Sequence, residues 1–395
     1  MPARVAAARL GGFGTSIFTE ITALAVKHDA ANLGQGFPDF AAPAFIKEAA
    51  ARHVGEDRNQ YAPSAGVPRL RAALAAGWQR RYGQAIDPAR EVTVACGATE
   101  LLLDAMLGIV DPGDEVIVFE PTYDAYVPDI QMAGGVALPV ALRLPDWRWD
   151  PGELAAAFTP RTRAVIINTP HNPTGKVFSA GELEELARLC IAHDVVVISD
   201  EVYSELTFDG ARHVPIATLP GMRERTITID SMGKTFSVTG WKVGWAIAPP
   251  PLTSAVRATH QFVTFTNSAP FQEALADALT APFTRSDADN YYDQLRAAYA
   301  ARRAQLTAIL DSIGLPPLPI EGAYFLLSDV SRLGFASDLE FCRFLCAEVG
   351  VAAIPISPFY LQAARAPMLA RFCFAKRAET IELASERLRK WRAPR

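Results

Sequence analysis

The segment Ser231-Met-Gly-Lys-Thr-Phe-Ser-Val-Thr-Gly-Trp-Lys242 concentrates lysines, hydroxyls and glycines without any hydrophobic period. An amine beside a second cation, or enclosed in a dry site, becomes a nucleophile near neutral pH. Lys234 is therefore a candidate for imine formation, with Lys242 and Ser231 directed at an anion, although a solvated surface loop uses the same residue types. In Ile198-Ser-Asp200-Glu-Val-Tyr203 an acid directly follows a continuous apolar run, at the carboxyl edge where open α/β sheets bind ligands. Asp200 reads either as a helix N-cap, the more common fate of such an Asp, or as a carboxylate that keeps a ring nitrogen protonated. Asn168-Thr-Pro-His-Asn172-Pro-Thr-Gly175 fits a rigid turn as well as a binding loop. The turn Cys96-Gly97-Ala98-Thr99-Glu100 presents the unpaired first amides of a helix, a seat for phosphate or a plain helix start. Singly these segments are ordinary; together they put an amine, an acid and an anion seat at successive strand ends.

The elements that must position them are short apolar runs alternating with helical patterns. Strands are expected over 92–95, 116–119, 164–167, 195–198, 226–229 and 243–247, and helices over 99–109, 123–132 and 180–192. Ser179 with Glu182 three residues on forms a capping pattern for the third helix. This alternation implies an α/β fold with a mostly parallel sheet covered on both faces. Helical patterns then dominate to about residue 313, the longest over 291–310. Beyond the prolines at 316, 317 and 319 follow strands near 324–327 and 371–374 and helices near 339–348 and 379–391. With 395 residues, half of them hydrophobic, the chain has enough apolar surface for a large core. Its net charge of −5 leaves no cation surplus for nucleic acid or an anionic bilayer. No run approaches the roughly 20 apolar residues of a membrane span. The odd cysteine count suits reduced thiols and a cytoplasmic location.

In the order and spacing of these segments the chain resembles the fold type I, pyridoxal-phosphate-dependent aminotransferases of class I/II. Further matching segments are Asn32-Leu-Gly-Gln-Gly36, Asn59-Gln-Tyr61, Pro121-Thr-Tyr123 and Arg371-Phe-Cys-Phe, so the likeness spans nearly the whole length. It implies that Lys234 joins the cofactor covalently, that Asp200 meets the pyridine nitrogen, and that Asn172 and Tyr203 meet the ring hydroxyl oxygen. It also implies phosphate binding by Gly97, Ala98, Thr99, Ser231 and Lys242, with Tyr61 reaching over from the second subunit of a homodimer. Tyr123 offers the ring a flat face. Arg371 is the substrate anchor, because a guanidinium fork matches an α-carboxylate, and the backbone near Gly36 closes over the same group. The expected domains are a large cofactor-binding domain, 46–285, and a small α+β domain formed by 1–45 and 286–395.

The reaction implied is transfer of an amino group from an L-amino acid to a 2-oxo acid. His260-Gln-Phe-Val-Thr-Phe265, Ile354-Pro-Ile-Ser-Pro358 and Arg371–Lys376 resemble the methionine, glutamine, kynurenine and aromatic branch. Phe18, Tyr123, Phe265 and Phe359 would line an apolar side-chain pocket. N-succinyldiaminopimelate transamination and β-elimination from cysteine conjugates are the alternatives. Ser231-x-x-Lys234 lacks the partner motifs of a serine acylase, Gly175-Lys176 lacks the P-loop spacing, and the six histidines show no zinc spacing, so no metal is expected.

Overall fold

A computed structural model describes residues 7–10, 12–281, 284 and 290–391. Twelve strands are present among them: β1 (Ala31–Asn32), β2 (Val92–Ala95), β3 (Glu115–Glu120), β4 (Val136–Ala141), β5 (Thr162–Asn168), β6 (Val196–Asp200), β7 (Thr226–Ser231), β8 (Gly244–Ile247), β9 (Phe325–Asp329), β10 (Val351–Ala352), β11 (Ile354–Pro355) and β12 (Leu369–Cys373). Seven form one sheet in the order β2-β8-β7-β6-β5-β3-β4. Only β8 runs against its neighbours, so the sheet is mostly parallel as expected. Its central strands are buried along their length, which is why they read as unbroken apolar runs.

Within this sheet the one strand that the apolar runs do not reveal is β4, and outside it the two-residue strands β1, β10 and β11 are too short to show as runs. Strand β4 lies at the sheet edge, is mostly half-exposed, and carries Pro139, a residue an edge tolerates because it needs only one ladder. The helix expected from 123 starts at Tyr126, since Tyr123 to Ala125 form a turn, and the helix expected near 339–348 widens into a π turn after Phe344. A three-stranded antiparallel sheet, β11-β12-β9, and the parallel pair of β1 with β10 lie beyond. The β1–β10 pair ties the N-terminal segment to the C-terminal third. Side chains from both parts share one continuous apolar cluster that includes Ile21, Phe119, Tyr324 and Leu388. Among the described residues no helix is long and apolar enough to cross a membrane.

The helix Ala180–Ala192 shows how local chemistry anchors this frame. Ser179 Oγ accepts from the Glu182 amide at 3.3 Å, and Glu182 Oε2 accepts from the Ser179 amide at 2.9 Å. Glu182 Oε1 also lies 2.9 Å from Lys176 Nζ, both side chains being buried. Removing Glu182 therefore leaves the buried Lys176 ammonium with the Asp146 carbonyl, 3.1 Å away, but no counter-charge, as well as opening the cap. Glu182→Ala is predicted to lose about 3–5 kcal/mol in urea unfolding, against about 1 kcal/mol for Ser179→Ala. Equal losses would show that the Lys176 pair adds nothing to the cap.

Candidate active site

The carboxyl ends of β5, β6 and β7 and the turn after β2 open on a cavity of about 110 Å³. Ten of the residues singled out above line it: Gly97, Ala98 and Thr99 from the turn, Tyr123 after β3, Asn172 after β5, Asp200 and Tyr203 at the end of β6, and Ser231, Lys234 and Lys242 after β7. Three lie apart from that wall. Arg371 and Gly36 adjoin it through Asn172 and Phe325, whereas Tyr61 stands outside it on the surface.

Gly97 opens the helix Gly97–Ile109 with φ +81, and a Cβ there would meet Lys242 Nζ at 3.0 Å. The missing side chain thus lets the ammonium close on the turn while the first helical amides stay available to an anion. Glu100 accepts from the Cys96 amide and fixes the turn from within. Support from below comes from Gly244 on β8, where a Cβ would strike Gly97 C at 2.5 Å and Ala98 N at 2.6 Å. Nothing in the apolar runs distinguishes this glycine; only the approach of two backbones does.

Asp200 is buried, and its Oδ2 accepts from Tyr126 Oη at 2.6 Å while Oδ1 accepts from the Val202 amide at 3.3 Å. Burial pushes its carboxyl up to about 6, against the pull of these two bonds and of Lys234. Tyr126 is a functional contact that sequence reasoning missed, since its partner lies 74 positions away. Lys234 sits on the short helix Met232–Thr235, with Nζ 5.7 Å from the Tyr203 ring centroid and 5.9 Å from that of Tyr324. Burial lowers its pKa to about 8, and nearby Lys242 and Arg371 push the same way while Asp200 and Cys373 oppose. The cavity therefore holds an amine that is part-neutral near physiological pH, as a nucleophile or base requires.

Arg371, on β12, is 1% exposed. Its Nη1 donates to Asn172 Oδ1 at 2.8 Å and its Nη2 to the Gly34 carbonyl at 3.0 Å, while Nε has no partner. Asn172 is held in turn, its amide donating to Asn168 Oδ1 at 2.7 Å. The rings of Phe325, Phe18 and Phe359 surround the guanidinium at 4.1, 5.1 and 5.4 Å. Burial lowers the pKa of Arg371, but a guanidinium stays charged and keeps free N–H groups for an incoming carboxylate. The Gly36 carbonyl accepts from Tyr324 Oη at 2.6 Å, and a Cβ on Gly36 would touch the Phe325 ring at 3.1 Å. Of the four expected pocket aromatics, Phe18, Tyr123 and Phe359 are here. Phe265 is not: with φ +69 after the helix Pro250–Val263 it turns outward and packs edge-on against Tyr61, with centroids 5.6 Å apart.

The close approach at Gly244 carries a prediction. Gly244→Ala should lose about 1–3 kcal/mol in urea unfolding, the cost of overpacking. Gly240→Ala, whose Cβ would meet nothing within 4 Å, should stay within about 0.5 kcal/mol. Equal behaviour of the two would mean that the Gly97 turn does not lean on β8.

Comparison with known proteins extends the argument from geometry to ancestry. The family "Aminotransferase class I and II" matches residues 28–388. A methionine aminotransferase of Escherichia coli is 43% identical over 381 residues, 96% of this chain and 97% of its own. Kynurenine–oxoglutarate transaminase 3 of Mus musculus is 41% identical over 408 residues, 98% and 90% of the two chains. The structure of N-succinyldiaminopimelate aminotransferase from Mycobacterium tuberculosis superposes with a TM-score of 0.92 at 44% identity, over 97% of this chain and 99% of that one. Likeness this long and this close leaves one assignment: the chain belongs to the class I and II aminotransferases, and its activity is amino-group transfer.

Proposed function

We propose that the chain binds pyridoxal 5'-phosphate in this cavity and moves the amino group of an L-amino acid with an uncharged side chain to a 2-oxo acid. The observation that carries the reading is the enclosure of Lys234 and Asp200 in one cavity with the Gly97–Thr99 turn. The fit is chemical as well as spatial. A side chain at position 97 would fill the space between the turn and Lys242, and its absence leaves amides, the Ser231 and Thr99 hydroxyls and an ammonium for a phosphate. Asp200, raised by burial, gains most from a cationic partner such as a protonated pyridine nitrogen. Asn172 and Tyr203 line the same wall and suit the ring oxygen, and Tyr123 supplies a flat face.

Bound there, the cofactor supplies an electron sink for the pair left on the substrate α-carbon and carries the amino group between the two half-reactions. The chain's own residues do the rest. Lys234 Nζ, whose pKa burial lowers to about 8, would hold the cofactor covalently and, once freed by the substrate amine, would take the proton from the substrate α-carbon and deliver it to the ring-side carbon of the cofactor. Asp200, held by Tyr126, would keep a proton on the ring nitrogen. Arg371 orients the α-carboxylate with the N–H groups that Asn172 and Gly34 leave free, and its three aromatic neighbours exclude the water that would weaken that bond.

Side-chain choice follows from charge. Among the described residues that line the cavity or face Arg371, the cations are Lys234, Lys242 and Arg371 itself, and the charged neighbour that Arg371 gains from the 123–125 turn is the acid Asp124. A second carboxylate would enter a wall of aromatic rings without a partner. This favours methionine, glutamine, aromatic or kynurenine-like donors, and it agrees with the names of two of the relatives.

The site reading extends to a homodimer. Tyr61 and Phe262 are 84% and 85% exposed and Phe265 is 47% exposed, an aromatic patch that a second copy would cover. There Tyr61 would complete the partner's phosphate seat. We also infer a large domain over 46–285 and a small one over 1–45 and 286–395; the boundary at 285/286 lies outside the described residues. The five free cysteines fit a reducing cytoplasm.

With one common 2-oxo acid acceptor, kcat/KM for methionine or phenylalanine is predicted to exceed that for aspartate and N-succinyldiaminopimelate by tenfold or more, about 1.4 kcal/mol. Arg371→Lys should weaken every donor by about 1–3 kcal/mol, the range for a hydrogen bond to a charged group. Preference for either dicarboxylic donor would overturn the side-chain assignment.

A further inference from the structure

At the root of the Gly97–Ile109 helix three ionisable side chains are buried together: Glu100, Asp104 one turn on, and His260 of the helix Pro250–Val263. The two ring nitrogens of His260 face different groups. Nε2 lies 2.9 Å from the Ser64 carbonyl, which can only accept, so Nε2 carries a proton. Nδ1 lies 2.8 Å from Glu100 Oε1 and 3.6 Å from Asp104 Oδ2. Glu100 also accepts from the Cys96 amide and the Thr264 hydroxyl. Burial raises its pKa, but the bonds from His260, Thr264 and Cys96 outweigh that and hold it below the usual range. With Glu100 ionised, Nδ1 carries a proton too, and the ring is an imidazolium. The 2.8 Å separation suits such a charge-assisted bond and is shorter than the about 3.3 Å between two ligands of a tetrahedral zinc.

This cation stands where two functional segments meet. Glu100 holds the amide of Cys96, the residue before Gly97, and so fixes the turn on which the phosphate reading depends. Ser64 lies three residues after Tyr61 in the same loop. Thr264, the third partner of the cluster, precedes Phe265, whose ring packs on that of Tyr61. We propose that His260 is a positioning residue whose doubly protonated ring locks the Gly97–Thr99 turn and the Tyr61 loop into one relation, so that the phosphate seat loosens when the ring loses a proton. The proposal deepens the reading of the cavity as a pyridoxal phosphate site and rests on it.

Loss of the Nδ1 proton would leave Glu100 facing Asp104 without the cation between them. Both oxygens of Asp104 already lack a hydrogen-bond partner, and burial pushes its carboxyl up. The other charged groups nearby do not substitute. Arg257, one turn earlier on the same helix, turns to Thr93 Oγ1 at 3.0 Å and the Val92 carbonyl at 2.6 Å. Lys242 faces Gly97 across the turn, and the Cys96 thiol is raised by burial and by Glu100. Burial opposes the charge on His260, but the nearby Asp104 carboxylate and the bonds to Glu100 and Ser64 overcome it and hold the imidazole at about 9. The folded pKa is thus raised, and the sign follows. The contribution is complete below the unfolded value of about 6.5 and is lost as pH rises through about 9.

The test compares the wild-type chain with His260→Gln, which keeps a donor but cannot carry the charge. Affinity of the cofactor-free full-length protein for inorganic phosphate, and the rate of cofactor release from the holoenzyme, are measured from pH 6.5 to 10. Wild type should bind phosphate at least tenfold more tightly at pH 7 than His260→Gln, and that advantage should vanish with a midpoint near pH 9. Comparing the two proteins cancels the titrations of phosphate and Lys234, which they share. Coincident curves would overturn the role of His260. A wild-type chain that holds neither the cofactor nor phosphate would instead overturn the reading of the cavity. Nitrogen-15 NMR of histidine-labelled wild type needs no variant: two protonated ring nitrogens on His260 at pH 7.5 support the proposal, and a single neutral tautomer contradicts it.

Discussion

A carboxylate buried at the end of a central strand is unfavourable unless a proton or a cation meets it, and the arrangement around Asp200 follows from that constraint. Its strand, β6, lies between β5 and β7, so its neighbours in the ladder are Asn168 and Ile229. Asn168 braces the strand end by donating from Nδ2 to the Asp200 carbonyl at 2.9 Å, and it holds the Asn172 amide with its other atom. Tyr126 donates to the carboxylate itself. Through Asn172 the same network reaches Arg371, the second buried charge of the site. Two charges of opposite sign, each costly alone, are thus held on one relay of amides about the cavity, and the Lys234 amine lies within their fields.

The parallel sheet makes that relay possible. Strands running the same way deliver their carboxyl ends to one edge, and each loop leaving that edge offers a different group: backbone amides at Gly97–Thr99, the side-chain amide of Asn172, the carboxylate of Asp200 and the amine of Lys234. Reversal of β8 is part of the design, because it brings Gly244 under the Gly97 turn with no side chain between them. The second, antiparallel sheet then carries Arg371 to the cavity from the opposite side of the chain's sequence.

What was legible beforehand was whatever is encoded within a short window. Buried central strands announce themselves as apolar runs, and the Ser179–Glu182 box marks the start of its helix to the residue. The strand ends therefore pointed to Lys234, Asp200, Asn172 and the 97–99 turn, which the cavity brings together. The features that escaped notice depend on distant partners or on edges. β4 is an edge strand, half-exposed and interrupted by Pro139. Tyr126 looks like any helical aromatic until Asp200 arrives from another strand. Gly244 and the Gly34 carbonyl matter only through close approach to the Gly97 turn and Arg371. Phe265 is expected from the sequence to line the side-chain pocket, but its left-handed backbone turns it to the surface beside Tyr61.

The central claim is that Lys234 is the amine that holds the cofactor against Asp200. Borohydride reduction of the protein as purified, followed by peptide mass mapping, tests it directly. The account predicts a yellow protein that bleaches on reduction and carries one pyridoxyl-phosphate adduct per chain on Lys234. An adduct on Lys242 or Lys176 instead, or none on a protein that still catalyses transamination, would contradict it.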